Sequence, residues 1–135
     1  LSAAGTIPMI KTTAQSIVLV GRIPSKKNSK QIIRRGNRSM LVSSRAHGVW
    51  HTDVMWQLKE QRARPMAGKI GVEMMFYFPD KRRADLTNKA ESVMDLLVDA
   101  GIIEDDNANV CPEVLLRFGG VDRERPRVEV GLVAL

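Results

Sequence analysis

Apolar and polar positions alternate most cleanly over residues 70–78. There Ile70, Val72, Met74, Phe76 and Phe78 share one side, a period of two that predicts a strand. Pro79, which has no N–H to offer a ladder, should stop it. Residues 15–23 predict another strand, with Ile17, Leu19 and Gly21 on one face and Val18, Val20 and Arg22 on the other. Short β segments are expected at 31–35 and 39–42, joined by a turn at Arg35-Gly36-Asn37-Arg38. Two more are expected near 113–118 and 127–133. The period becomes helical in two places. Ser43 or Ser44 can cap a helix running to about Arg64, where Pro65 ends it. Its Val49, Trp50, Val54, Met55, Trp56 and Leu58 are expected to form one broad apolar face. A second helix is expected over 86–100, with Asp85 as a candidate N-cap and Gly101 placed to end it. Residues 1–14 show no period and are expected to be a flexible tail, leaving 15–135 as one small domain without internal repeats. The pattern predicts an α+β fold, a mixed or antiparallel sheet with two main helices packed on it.

Composition narrows the possibilities. The 135 residues, 44% of them apolar, suit a single folded domain. Cys111 is the one cysteine, so an internal disulfide and a cysteine-rich zinc site are excluded, and a reducing, cytoplasmic setting is expected. No apolar run approaches the roughly 18 residues of a membrane span. The first dozen residues have no charged n-region followed by an apolar run, so no signal peptide is expected. They also lack an initiating Met, which is expected of a processed or artificial end. With 21 Lys+Arg against 15 Asp+Glu the net charge is +6, which favours a polyanionic partner. Aromatic residues make up only 4%, too few for stacked single-strand binding to dominate.

Against that basic background stands an acidic island. It runs through Asp85, Glu91, Asp95 and Asp99 to Glu104-Asp105-Asp106, and is introduced by Lys81-Arg82-Arg83. At about 100° per residue, Asn88, Glu91, Ser92, Asp95 and Asp99 fall in one stripe of the second helix. Leu86, Ala90, Val93, Met94 and Leu97 cover the opposite side. An acidic stripe is most simply a solvated face. Here Glu91, Asp95 and Asp99 repeat every four residues with no Lys or Arg between them, which costs a few tenths of a kcal/mol per pair. Asp95 and Asp99 also lie toward the wrong end of the helix dipole. A divalent cation or a cationic neighbour facing the stripe would account for it. Ile102 and Ile103 can anchor the returning chain and bring Asp105 and Asp106 back toward the stripe. Carboxylates that hold Mg²⁺, set beside cations that draw in a polyanion, are what phosphodiester cleavage needs.

Other chemistry fits less well. Residues 104–109 lack the spacing of an EF-hand loop. His47 and His51 are four apart on the first helix, but no Glu follows His47 and no third ligand is evident, so they read as ordinary helix residues. No Ser-His-Asp elbow, phosphate-binding glycine loop or dinucleotide fingerprint is present, and no nucleotide cofactor is expected. Lys26, Lys27 and Lys30, then Arg34, Arg35 and Arg38, lie in a polar loop and hairpin. A basic run is usually a solvated face. Lys81-Arg82-Arg83, two residues before Asp85, has the better explanation of holding phosphates around a cleaved bond.

Pro79-Asp80-Lys81-Arg82-Arg83-Ala84-Asp85-Leu86-Thr87-Asn88, followed by Asp95-Leu96-Leu97, Ala100-Gly101 and Asp105-Asp106, resembles the RusA family of Holliday junction resolvases. Gly21-Arg22-Ile23-Pro24-Ser25-Lys26-Lys27-Asn28 is similar to that family's first strand and Pro-containing loop. The resemblance implies a homodimeric, Mg²⁺-dependent endodeoxyribonuclease of bacterial, phage or mobile-element origin, with Mn²⁺ a substitute, that cuts four-way DNA junctions symmetrically. It implies catalytic, metal-binding roles for Asp85 and Asp106, with Asn88, Asp95 and Asp105 around the site. The basic segments supply the expected DNA-facing set: Lys26, Lys27, Asn28, Lys30, Arg34, Arg35, Lys81, Arg82 and Arg83. Two positions depart from the pattern. Thr87 stands where better-known members have a second aspartate, and Glu91 where they have a lysine. A carboxylate lost at one and gained one turn away would keep the ligand count, which makes Glu91 the third expected catalytic carboxylate and Thr87 a supporting residue. Lys89 lies far around the helix from Glu91 and is not expected to replace the lysine; Lys81 or another loop cation suits that role better. A non-catalytic basic DNA- or RNA-binding module is the alternative, and an acidic nucleic-acid mimic a third reading.

Overall fold

The computed structural model describes residues 13–26 and 30–135. In chain order the elements are β1 (Gln15–Val20), β2 (Lys30–Arg35), β3 (Arg38–Ser43), α1 (Arg45–Glu60), β4 (Ile70–Phe78), α2 (Leu86–Asp99), β5 (Glu113–Val121) and β6 (Arg127–Ala134). The α+β expectation holds. A four-stranded sheet has the order β1-β6-β4-β5, and β2 and β3 pair as a separate hairpin. β4 and β5 run parallel and the other pairs antiparallel, so the sheet is mixed. Parallel neighbours need a crossover, and α2 supplies it. That topology sets the N-terminus of α2 just beyond the carboxyl end of β4.

Both helices cover one sheet face. Ile70, Val72, Met74 and Phe76, the alternating residues of β4, are buried with Trp50, Val54 and Leu58 of α1 and Val93, Leu96 and Leu97 of α2. The edge strand β1 is sealed by side chains rather than by another strand. Gln57 Oε1 accepts from Val20 N at 2.7 Å and its amide donates to Val20 O at 2.8 Å. One turn later Gln61 makes the same pair of bonds with Val18, both 2.7 Å. Primary amides four residues apart on a helix thus reproduce the ladder of a missing strand and block an edge open to foreign pairing. Among the described residues no helix is long and apolar enough to cross a membrane.

Several boundaries differ from the sequence expectation. β1 ends at Val20, not residue 23, because Gly21 adopts φ +123 and donates to Pro126 O at 2.8 Å. α1 stops at Glu60, short of Arg64. Pro65 disfavours helical geometry at Arg64, and the chain has already turned at Arg62, with φ +57. Arg64 instead exchanges two hydrogen bonds with the Gln15 side chain. The broad apolar face of α1 is narrower than expected. Trp50, Val54 and Leu58 are buried, whereas Val49 and Trp56 are about 60% exposed because they lie around the helix from the sheet. β5 continues to Val121 through a bulge: Phe76 pairs with Phe118 and Tyr77 with Gly120, leaving Gly119 as the extra residue. Of the expected tail, residues 1–12 lie outside the described residues, and Ala14 is tied to the sheet through a 2.8 Å bond to Leu132 O.

Candidate active site

Asp85 is the N-cap of α2. Its Oδ1 accepts from Thr87 N at 3.1 Å and from the Thr87 hydroxyl at 2.7 Å, and its Oδ2 accepts from Asn88 Nδ2 at 3.2 Å. Thr87 and Asn88 therefore hold the Asp85 carboxylate in one orientation at the positive end of the helix. Pro79 and the bond network of Asp80 shape the approach. Asp80 accepts from Arg82 N at 3.0 Å and forms salt bridges with both Arg82 and Arg22. The Arg82 backbone and guanidinium bonds hold its carboxyl below the usual range. Lys81, Arg82 and Arg83 are all exposed in this loop.

The loop after β1 lies along α2 in register with its turns. Lys89 Nζ donates to Ile23 O at 2.6 Å, Ser92 Oγ donates to Pro24 O at 2.8 Å, and Lys26 is ion-paired with Asp95. Ser92 thus corrects the expected stripe: it is fully buried under the loop rather than solvated. Burial lowers the pKa of Lys89, and the Arg22 charge adds to the effect. The stripe does gain partners, but from other elements. Lys26 faces Asp95, and His51 of α1 lies 3.1 Å from Asp99. Glu91 remains exposed and forms no ion pair among the described residues. His47 packs its ring against Trp50, and its Nε2 is buried without a partner.

The second acidic cluster returns as the spacing implied. Ala100 caps α2, Gly101 takes φ +72, and Gly101 N and Ile102 N bond to Val98 O and Leu97 O at 2.9 Å. This is the Schellman arrangement that a left-handed glycine permits. Ile102 and Ile103 then bury themselves and turn the chain back. Asp105 Oδ1 accepts from Asp106 N at 2.7 Å and Oδ2 from Asn107 Nδ2 at 3.1 Å. The Asp106 carboxyl is raised above its usual range, first by a hydrogen bond with the Asp105 side chain, then by desolvation and the Asp105 charge. Asp95 adds a further push, so the two clusters sense each other across the helix. Burial, followed by the charges of Asp106 and Asp105, raises the Cys111 thiol beneath them.

The sequence-predicted residues are therefore brought together unequally. Asp105 and Asp106 stand together as adjacent carboxylates, and their hard oxygens suit a hard divalent cation. No three of the described His, Cys, Asp or Glu side chains already stand as a chelating group. Asp85 and Glu91 lie on the same helix but outside that pair. Lys27 and Asn28 lie outside the described residues; Lys30, Arg34 and Arg35 are exposed on the hairpin. Sequence reasoning missed Lys89, Ser92 and Asp80 as the residues that fix the two loops. The position of Ser92 at the edge of the acidic stripe was the available signal.

A helix N-terminus carrying an aspartate at the carboxyl end of a parallel strand, an adjacent aspartate pair and a loop of exposed cations thus lie on neighbouring elements. The family model described as "Endodeoxyribonuclease RusA" matches residues 22–132, and the chain belongs to that family. It is an endodeoxyribonuclease. A crossover junction endodeoxyribonuclease RusA from Aquifex aeolicus (strain VF5) is 24% identical over 100 residues, spanning 73% of this chain and 78% of the relative. Family membership removes the non-catalytic alternative and the acidic-mimic reading.

Proposed function

We propose that the protein resolves four-way DNA junctions by paired, divalent-metal-dependent phosphodiester cleavage, acting as a homodimer. The observation that carries this reading is the Asp105–Asp106 carboxylate pair, turned back toward Asp95 by the buried Ile102 and Ile103 behind the helix that Asp85 caps. In this reading Asp85, Glu91 and Asp106 are the ligands of Mg²⁺, for which Mn²⁺ substitutes, and Asp95, Asp105, Asn88 and Thr87 support them. Bound there, the cation would lower the pKa of the attacking water and offset charge on the leaving oxygen. The chain's own part is to orient carboxylates through Thr87, Asn88 and Asn107, and to hold flanking phosphates with Lys81, Arg82 and Arg83. The junction specificity named for the Aquifex relative supports branched DNA as the substrate. Such junctions have two-fold symmetry, so symmetric nicks require an isologous pair of sites. The apolar residues exposed on the hairpin and on α1, Ile32, Leu41, Val49 and Trp56, are surface that a second copy would cover.

The test is incubation with a synthetic four-way junction, a flap and a linear duplex, with Mg²⁺ and with EDTA, alongside sedimentation of the free protein. Symmetric junction nicks that need Mg²⁺, from a dimer, are expected. Equal cutting of the linear duplex, or cutting in EDTA, would overturn the reading.

A further inference from the structure

All three phenylalanines of the chain form one file from core to surface. Phe76 is fully buried; its ring stacks with Phe78 at a centroid distance of 5.9 Å and 22°, and Phe78 stacks with Phe118 at 5.7 Å and 20°. Phe118, at the outer end, is 56% exposed. An aromatic ring held nearly parallel to its neighbour and left open to solvent loses favourable burial. Its position is fixed by the β5 bulge. Gly119 lies against the Tyr77 ring so closely that a Cβ there would meet ring carbons at 2.7 Å. Arg127 covers Tyr77 at 3.9 Å and is itself held by Asp122 and Glu129, both at 2.8 Å. The platform is thus built on rigid elements and does not depend on a loop.

Its surroundings specify what could lie on it. Phe78, Phe118, Val121 and Leu86 line an open depression of about 740 Å³, whose other wall is Asp80, Lys81, Arg82 and Ala84. One side is therefore aromatic and aliphatic, the other carries the exposed Lys81 beside the Asp80–Arg82 ion pair, and Ala84 leads directly into Asp85. A nucleobase presents a flat apolar face attached to a phosphate, and this depression matches both halves. We propose that Phe118 is a stacking platform for a base unpaired at the branch point, while Lys81 takes the adjoining phosphate. Stacking on an aromatic ring is tolerant of base identity. It would reward branched DNA, in which a base can leave its stack cheaply, over continuous duplex, in which it cannot. This inference rests on the junction reading above and assigns the source of its structural selectivity.

The experiment uses a four-way junction carrying 2-aminopurine at one crossover position, with Ca²⁺ in place of Mg²⁺, and the same label in a linear duplex. Wild-type protein should raise the emission of the junction label several-fold and leave the duplex label unchanged. Phe118→Leu, which keeps apolar bulk but removes the ring face, should abolish the rise and lower junction affinity about ten-fold while duplex affinity stays the same. Phe118→Tyr should preserve both. An unchanged signal in Phe118→Leu overturns the proposal. So does an equal loss of duplex and junction affinity, or a change in sedimentation mass that makes Phe118 a contact between copies. The readings separate cleanly. Wild-type protein that cuts junctions without any 2-aminopurine response overturns the stacking platform alone, whereas protein that neither binds nor cuts junctions overturns the proposed function.

Discussion

The ammonium of Lys26 is paired with the carboxylate of Asp95. A cation expected to meet DNA phosphate instead neutralises the middle of the acidic stripe, and in doing so pins the loop after β1 to α2. Together with Lys89 on Ile23 O and Ser92 on Pro24 O, the pair holds that loop at three successive points of the helix.

This pairing predicts an unequal share in DNA affinity. A lysine already matched by a carboxylate displaces few counterions, so Lys26→Ala should change the slope of log K against log [salt] by well under one unit. Arg83→Ala should change it by about 0.9, and Lys26, Lys27 and Lys30 changed together by about 2. Equilibrium binding across a salt series measures this. An equal effect of Lys26 alone and Arg83 would mean that Lys26 leaves Asp95 for phosphate.

Asp106→Asn should abolish cleavage and leave junction binding intact or stronger, because a carboxylate that repels phosphate is removed. The pH dependence follows from its raised carboxyl. A group raised in the folded state adds stability that is present below its unfolded pKa and lost as pH rises through the folded value. Without divalent metal, Tm should therefore fall slightly as pH rises above the ordinary carboxylate range of about 4 and the Asp105–Asp106 repulsion develops. Mg²⁺ should raise Tm at the upper pH and not at the lower one. In Asp106→Asn both effects should vanish, which thermal melts with and without Mg²⁺ read directly.

Glu91 is exposed and forms no ion pair among the described residues, so Glu91→Gln should change stability by no more than about ±0.5 kcal/mol. If Glu91 stands in for the carboxylate absent at Thr87, the same change should cost on the order of 10²-fold in junction cleavage. Thr87→Asp added to Glu91→Gln should then recover part of that activity. Full activity of Glu91→Gln would remove Glu91 from the site.

The amide seal on β1 has a separate consequence. Gln57→Ala should destabilise the fold by about 1–2 kcal/mol in urea, since two backbone groups of Val20 lose their partners. Gln57→Glu should cost more, because a carboxylate cannot donate to Val20 O. Light scattering should also show association through the opened edge.

Local rules made much of this chain legible. The alternation of 70–78 gave β4 to the residue, because a strand buried on one face must repeat every second position. Asp85 and Gly101 marked the ends of α2, because capping needs a short acceptor before the helix and a left-handed residue after it. Ile102 and Ile103 signalled the return of Asp105 and Asp106, since adjacent apolar residues behind a helix must find the core. What lies on each helix face was decided elsewhere. Val49 and Trp56 fit the apolar pattern of α1 yet stay exposed, and Ser92 fits the polar stripe yet is buried, because the sheet and the loop after β1 determine which side is covered. Likewise, helical spacing placed Glu91, Asp95 and Asp99 in one row but could not announce Lys26 and His51, which arrive from sequence positions tens of residues away. The file of Phe76, Phe78 and Phe118 depends on the parallel register of β4 and β5. No local pattern encodes that register, because pairing across a crossover is fixed only when the helix between the strands has packed.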